Sequence, residues 1–163
     1  MYREIKGDLI TLAKAGEFDA IVHGCNCMGS MGKGIAKTIK NAFPLAAKID
    51  LKGAAPGTIN AVLLPGGLFV INAYTQIYYG KAGVKYKVMS PVNNYKEKMA
   101  DTEANRYRFI LSCMKEINRH FQSKKIGLPL IGCGLAGGRW DVVRQIICEE
   151  LKDCDVTIVH YRK

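Results

Sequence analysis

The sequence predicts an α/β fold, a mainly parallel sheet covered by helices on both faces. Three observations predict it. Short aliphatic runs alternate with segments of helical spacing along the chain, and two glycine-rich loops each follow a short buried strand. No internal repeat or linker interrupts the pattern, and 163 residues are the length of one domain, enough to hold a core without staples.

The elements follow in order. Residues 2–6 read as a first strand, and Asp8 stands where it can cap a short helix over 9–15. Asp19-Ala20-Ile21-Val22-His23 is a short buried strand that runs into the glycine-rich stretch 24–34. Apolar residues at helical spacing occupy 35–43 until Pro44 interrupts them. Strands over 58–64 and 68–73 flank the turn Pro65-Gly66-Gly67. Residues 74–99 form a loop region rich in tyrosine and lysine. A long amphipathic helix over 102–121 precedes a buried strand over 125–130. A second glycine-rich loop over 131–138, a helix over 140–151 and a closing strand over 156–160 complete the chain.

Composition narrows the function classes. With 48% hydrophobic residues, 17 glycines and only 5 prolines, the chain is built to pack rather than to stay disordered. The longest wholly apolar runs, Ala61-Val62-Leu63-Leu64 and Leu68-Phe69-Val70-Ile71, fall far short of the ~20 residues of a membrane span, so no membrane partner is expected. The charged start Met1-Tyr2-Arg3-Glu4 reads straight into a strand rather than a signal peptide, and a cytoplasmic location is expected. There Cys25, Cys27, Cys113, Cys133, Cys148 and Cys154 would be free thiols. No C-x-x-C pair occurs and Cys25-Asn26-Cys27 is too tight for a zinc knuckle, so neither a metal nor another cofactor is expected. A net charge of +10 favours phosphate-bearing partners. The lysines are scattered, with modest basic clusters only at 81–87 and 106–108, so nucleic acid is not expected as the main partner. The oligomeric state is left open.

In parallel sheets ligands bind beyond the carboxyl ends of the strands, and both glycine-rich loops fall there. The first reads His23-Gly24-Cys25-Asn26-Cys27-Met28-Gly29-Ser30-Met31-Gly32-Lys33-Gly34 and leads directly into a helix. Glycines let backbone amides approach an anion, and a helix N-terminus adds partial positive charge. Gly32-Lys33-Gly34 is a G-x-G without the full dinucleotide fingerprint or the Gly-Lys-Ser/Thr of a Walker A motif. Tight strand-to-helix packing without a ligand is the alternative. The second loop, Gly132-Cys133-Gly134-Leu135-Ala136-Gly137-Gly138-Arg139-Trp140, offers another row of backbone donors. Two facing loops suit a diphosphate with a sugar on each side.

With these pieces in order, the chain resembles the macro domain family over nearly its whole length. The resemblance is carried by Gly7-Asp8-Leu9, by His23-Gly24-Cys25-Asn26-Cys27, by Met31-Gly32-Lys33-Gly34-Ile35-Ala36, and by Leu128-Pro129-Leu130-Ile131-Gly132-Cys133-Gly134-Leu135 with Trp140 beyond. It is similar above all to the branch holding yeast-type ADP-ribose 1''-phosphate phosphatases, phage proteins and terminal ADP-ribose glutamate hydrolases. The resemblance implies a three-layer α/β/α macro domain over 1–163, with a mixed, mainly parallel central sheet, and ADP-ribose or ADP-ribose 1''-phosphate as partner. It places the adenine on Asp8, the distal ribose by Asn26 and the diphosphate between 33–36 and 132–137. The implied contacts are Asp8 and Leu9; His23, Gly24, Cys25 and Asn26; and Ser30, Met31, Gly32, Lys33, Gly34, Ile35 and Ala36. Pro129, Gly132, Cys133, Gly134, Leu135, Ala136 and Gly137 complete the set.

Two departures from the family bear on activity. The glutamate-linkage hydrolases carry an aspartate where this chain has Ala136, and a lysine where Gln76 follows Thr75. Phosphate removal from ADP-ribose 1''-phosphate is the reaction expected instead, with a non-catalytic reader of ADP-ribose as the runner-up and an RNA-binding module third. His23 and Asn26 are the expected catalytic residues, His23 because imidazole titrates near neutrality. A histidine packed against backbone is the competing reading of His23, and His120 and His160 read as structural. Cys133 and Arg139 also form C-x5-R, the spacing of thiolate phosphatases, but Trp140 replaces the hydroxyl residue usual after the arginine. Tyr74, Tyr78, Tyr79 and Tyr86, with Lys81 and Lys85, either wall the distal ribose or simply pack their loop.

Overall fold

The structure is a computed structural model that describes residues 1–83, 86–88 and 98–162. Its main sheet has six strands in the order β1-β8-β7-β2-β4-β3. β1 (Tyr2–Gly7), β2 (Ala20–Asn26), β4 (Phe69–Gln76), β7 (Lys125–Leu128) and β8 (Asp155–Tyr161) run parallel to one another. β3 (Ile59–Leu63) is antiparallel to β4 and closes one edge through the Pro65-Gly66-Gly67 hairpin. The other edge is formed by β1, whose sheet partner is β8: the first strand of the chain pairs with the last, Tyr2 opposite Val156.

Strand alternation splits the core into two layers. Ala20 and Val22 of β2 pack beneath α4 (Glu103–His120) and α5 (Trp140–Glu150), against Ile110, Cys113, Met114 and Ile117 of α4 and Val143 and Ile147 of α5. Ile21 points the other way, toward α1 (Leu9–Lys14), α2 (Gly34–Ala42) and α3 (Pro44–Lys48), where it meets Leu9, Ile39, Phe43 and Ala46. Strands covered on both faces need apolar residues at successive positions, which is why β2 reads as a continuous hydrophobic run. This is the expected three-layer α/β/α fold.

Several boundaries differ from expectation, four of them for a clear local reason. β2 does not stop at His23 but continues through Gly24, Cys25 and Asn26, because β4 runs alongside and pairs His23 with Asn72 and Cys25 with Tyr74. Gly24 therefore serves packing: a Cβ there would lie 2.8 Å from Thr75 Oγ1 and 3.3 Å from Ile131 Cγ1. β4 likewise extends to Gln76, so Tyr74 belongs to a strand rather than a loop. Pro44 both ends α2 and opens α3 at a first-turn position where its missing N–H costs nothing. Within the region read as loop, the backbone of β5 (Tyr86–Val88) pairs with that of β6 (Lys98–Ala100).

Candidate functional site

The parallel strands end at one edge of the sheet, and the segments leaving it carry most of the expected site residues. After β2 comes a loop over 27–33, and after β7 a loop over 129–139. Each leads into a helix, α2 or α5, whose N-terminus has no side-chain cap. By contrast Asp8 caps α1, its Oδ1 accepting from Thr11 N at 3.0 Å, and Thr102 caps α4. First-turn amides without a side-chain acceptor, at the positive end of a helix dipole, suit an anion.

The two loops meet. Gly34, at φ +60, lies under Leu135: a Cβ on Gly34 would come within 3.1 Å of Leu135 Cδ1. Leu135 is nevertheless 59% exposed, so it forms a lip between the loops rather than part of the core. Gly32, Lys33 and Gly34 are exposed beside it, and Ser30 is exposed as well. Met31 is buried with Ile39 and Phe43 and anchors the first loop from below, with Ile35 and Ala36 half-buried on the same cluster.

Asn26 is committed to the shape of that loop. Its Nδ2 donates to Ser30 O at 2.9 Å, and its Oδ1 accepts from Met28 N at 3.0 Å and Ser30 N at 3.3 Å. In the second loop Gly138 N donates to Gly132 O at 2.8 Å and Gly137 N to Gly134 O at 3.1 Å, with Gly132 and Gly137 at φ +74 and +75. Pro129 is half-buried, as are Cys133 and Ala136, and Gly134 has open space around it.

Several expected contacts sit away from the loop surfaces. His23 is fully buried on β2 and bonds Asn72 Oδ1 through Nε2 at 2.6 Å, while Asn72 Nδ2 donates to Ala46 O. Burial pushes its pKa down to about 4 against the opposing pull of the Asn72 bond. His23 is thus buried and neutral, bonded to the Asn72 side chain where the competing reading has it packed against backbone. Cys25 is buried with Cys27, Ala54 and Tyr74, its thiol pushed well up by burial, and Leu9 is core. Tyr74 walls nothing: its hydroxyl donates to Asp50 Oδ1 and accepts from Leu51 N in the interior. Tyr79 is exposed, Lys85 lies outside the described residues, and of Tyr86 only the backbone is described. His160 bonds Glu4 and packs edge-on against Trp140, and His120 faces Glu116, as structural residues would.

The C-x5-R coincidence has no thiolate. Burial, with Asp141 nearby, pushes Cys133 up to about 11, and its Sγ donates to Ile131 O at 3.4 Å. Arg139 pairs with Asp141 at the surface, 2.8 Å away. A protonated thiol and an arginine engaged elsewhere do not make a phosphocysteine mechanism.

The sequence reading missed Asp101 and Arg106. Arg106 grips Asp101 through Nε (2.9 Å) and Nη2 (2.7 Å), and both are buried. Burial alone would raise the Asp101 carboxyl, but Arg106 and the Tyr78 and Ile77 amides overcome it and hold the group below the usual range. Arg106 Nη1 also donates to Gly80 O at 2.6 Å and reaches Ala136 O at 3.5 Å, tying the segment after β4 to the second loop. An aspartate just ahead of a helix cap and an arginine one turn inside that helix are ordinary surface signals, and nothing in the spacing marks them as a buried pair.

Comparison with known proteins fits this geometry. The Macro domain family model matches residues 22–147, most of the chain. The chain belongs to the macro domain family. Along almost its full length this macro domain is similar to the uncharacterized 17.5 kDa protein of the tk-vs intergenic region of Enterobacteria phage T4, 27% identical over 161 residues, 96% of this chain and 94% of the phage protein. It is 26% identical over 171 residues to a protein of Debaryomyces hansenii named ADP-ribose 1''-phosphate phosphatase, covering 90% of this chain and 92% of the yeast protein. A protein of that name from Ajellomyces capsulatus matches at 52% identity but over only 46 residues, 28% of this chain and 17% of the relative. Among solved structures, Thermosipho africanus DarTG in complex with ADP-ribose superposes with a TM-score of 0.68 at 17% identity, over 97% of this chain and 40% of that one. Likeness at that identity shows the fold. No helix among the described residues is long and apolar enough to cross a membrane.

Proposed function

We propose that the cleft between the two loops binds ADP-ribose and that the protein hydrolyses ADP-ribose 1''-phosphate to ADP-ribose and phosphate, acting as one domain over 1–163 in the cytoplasm. The carrying observation is the pairing of two glycine-rich loops, each feeding an uncapped helix N-terminus, across the Gly34–Leu135 contact. A diphosphate between such loops meets amides and helix dipoles from both sides. The phosphatase chemistry is supported by the near full-length likeness to the yeast protein of that name. In that reaction water attacks phosphorus, the bond from phosphorus to the 1'' oxygen breaks, and that oxygen leaves as a hydroxyl after taking a proton. Ala136 and Gln76 stand where glutamate-linkage hydrolases keep an aspartate and a lysine, so release of ADP-ribose from protein is not expected.

The burial of His23 favours a second reading, a reader that binds ADP-ribose without turnover, since it removes the one histidine the first loop offered as an acid or base. One experiment separates the two. The pure protein is incubated with ADP-ribose 1''-phosphate and, in parallel, with a glutamate-ADP-ribosylated protein, and released phosphate and released ADP-ribose are measured. Phosphate release alone is expected. Binding of ADP-ribose by calorimetry with neither product released would replace the phosphatase by the reader.

A further inference from the structure

The β3 edge of the main sheet is open: no strand among the described residues pairs beyond it. Which backbone groups it presents follows from alternation. Thr58 O accepts from Tyr74 N and Leu64 N donates to Leu68 O, so the even-numbered residues of 58–64 turn their backbone groups toward β4. Ile59, Ala61 and Leu63 turn theirs outward. Their side chains share the α4 face, where Ile59 packs on the core, Ala61 is exposed and Leu63 is 55% exposed. On the other face Asn60 Nδ2 donates to Ile49 O at 2.7 Å, and the exposed Leu51 follows shortly after Ile49.

The two edges of the sheet differ in charge. β1 carries Arg3, Glu4 and Lys6, the kind of residue that keeps an edge strand from pairing with another chain. β3 carries none. In a chain of net charge +10, no charged residue occurs from Gly53 to Gly80, a stretch that holds the whole β3–β4 hairpin. An open edge strand without charge, proline or glycine is an arrangement that sheet proteins ordinarily avoid. The same charge pattern argues for the occupant. An acidic or basic peptide finds no countercharge on this strand, whereas two copies that repel each other elsewhere can approach along it.

We propose that β3 is a homodimer interface, at which two copies of the chain pair antiparallel about a two-fold axis at Ala61 and join their sheets into one. In this register Ala61 exchanges both backbone bonds with Ala61 of the second copy, and Ile59 does so with Leu63 of the second copy. The outward-facing residues lie symmetrically about Ala61, so the edge is complementary to itself, as a two-fold interface requires. Leu63 then packs beside Ile59 of the second copy and loses much of its exposure to water. Pairing consumes both β3 edges and leaves only the charged β1 edges outside, so assembly stops at two. Nothing in this pairing depends on what the cleft binds.

Sedimentation velocity over a range of concentrations tests it, on the parent, Ala61→Lys, Ala61→Glu and an equal mixture of the two variants. One strand pair with few side chains belongs to the small, transient class of interface, so the parent is expected to dimerise with a dissociation constant of roughly 10–100 μM. Each variant places like charges opposite each other at the axis and should be monomeric throughout. At concentrations where the parent is also monomeric, both variants should keep its melting temperature, because Ala61 is exposed. The mixture should associate again, since lysine then faces glutamate across the axis. If either variant fails to fold, Leu63→Arg, at another exposed position, serves to break the dimer. A parent that stays monomeric at every concentration overturns the interface, and capture of an uncharged extended peptide by such a monomer would assign the edge to another protein. A dimer that the variants retain, a mixture that stays monomeric or growth beyond the dimer overturns it as well.

Discussion

Leu135 rests on Gly34, side chain against bare backbone, and this contact sets how far apart the two loops of the cleft stand. The glycine is required twice over. Its φ of +60 lies in the left-handed region that costs other residues roughly 1–2 kcal/mol, and any Cβ there approaches Leu135 Cδ1 within 3.1 Å. Gly34→Glu should therefore abolish ADP-ribose binding, placing a negative charge at the uncapped start of α2 while the core beneath stays packed. Calorimetry reads the binding and far-UV circular dichroism the fold. Parent-like affinity would mean that the diphosphate lies elsewhere.

Asn26→Ala removes an acceptor and a donor that hold the loop over 27–30. The expected cost is about 1–3 kcal/mol of stability, together with weakened ADP-ribose binding through a loosened loop. Asn26→Asp, which keeps Oδ1 but loses the donation to Ser30 O, should fall between the two. Equal melting temperatures in all three proteins would show that the loop holds its shape without this side chain.

His23 is expected to act on stability rather than rate. Its folded pKa, about 4, lies below the unfolded value near 6.5, so between these values the unfolded chain binds more protons and stability rises with pH. The contribution is complete above about pH 6.5 and is lost as pH falls toward 4, to the extent of about 3 kcal/mol. Chemical denaturation across that window should show this slope in the parent and a shallower one in His23→Gln. The turnover of folded His23→Gln on ADP-ribose 1''-phosphate should stay within a few-fold of the parent. A drop of ~10²-fold or more would restore His23 as the acid or base.

Arg106→Met leaves Asp101 buried without its cation, a change that typically costs about 3–5 kcal/mol. A second substitution, Asp101→Asn, should recover part of that loss. Thermal unfolding of the single and double variants checks both statements. A double variant no more stable than Arg106→Met would mean that the arginine matters mainly for the Gly80 and Ala136 carbonyls it also serves.

The charge of +10 should give weak, sequence-indifferent binding to RNA that disappears near physiological salt, because it draws on scattered lysines rather than a built groove. Titrations at several salt concentrations check this, and tight binding at physiological salt would bring the RNA-binding reading forward.

The layers and the two loops were legible because their signals are local: strand runs, helical spacing, glycines at strand ends. What escaped was set by partners distant in sequence. His23 reads as a strand-end residue beside the loop, but β4 carries Asn72 alongside it, and Tyr74 reads as a wall of the distal ribose or as loop packing, but Asp50 and Leu51 surround its hydroxyl. Asp101 and Arg106 lie 5 residues apart, yet their burial depends on the segment after β4 folding over them, which no periodicity encodes. Gly24 shows the same limit, since a packing glycine and a ligand glycine spell alike.

The pairing of Tyr2 with Val156 has a consequence for synthesis. β2, β3 and β4 are contiguous enough in the chain to assemble as soon as residue 76 has emerged, and β7 can add to β2 later. The first strand made must wait longest, since its neighbour in the sheet is the last strand translated. Until then Tyr2–Gly7 has an unused edge, and α1 stands over an unfinished layer. A ribosome pausing before residue 155 would hold a nascent chain whose sheet lacks two of its six strands, one unmade and one unpaired, so removing β8 by truncation should strand β1 as well.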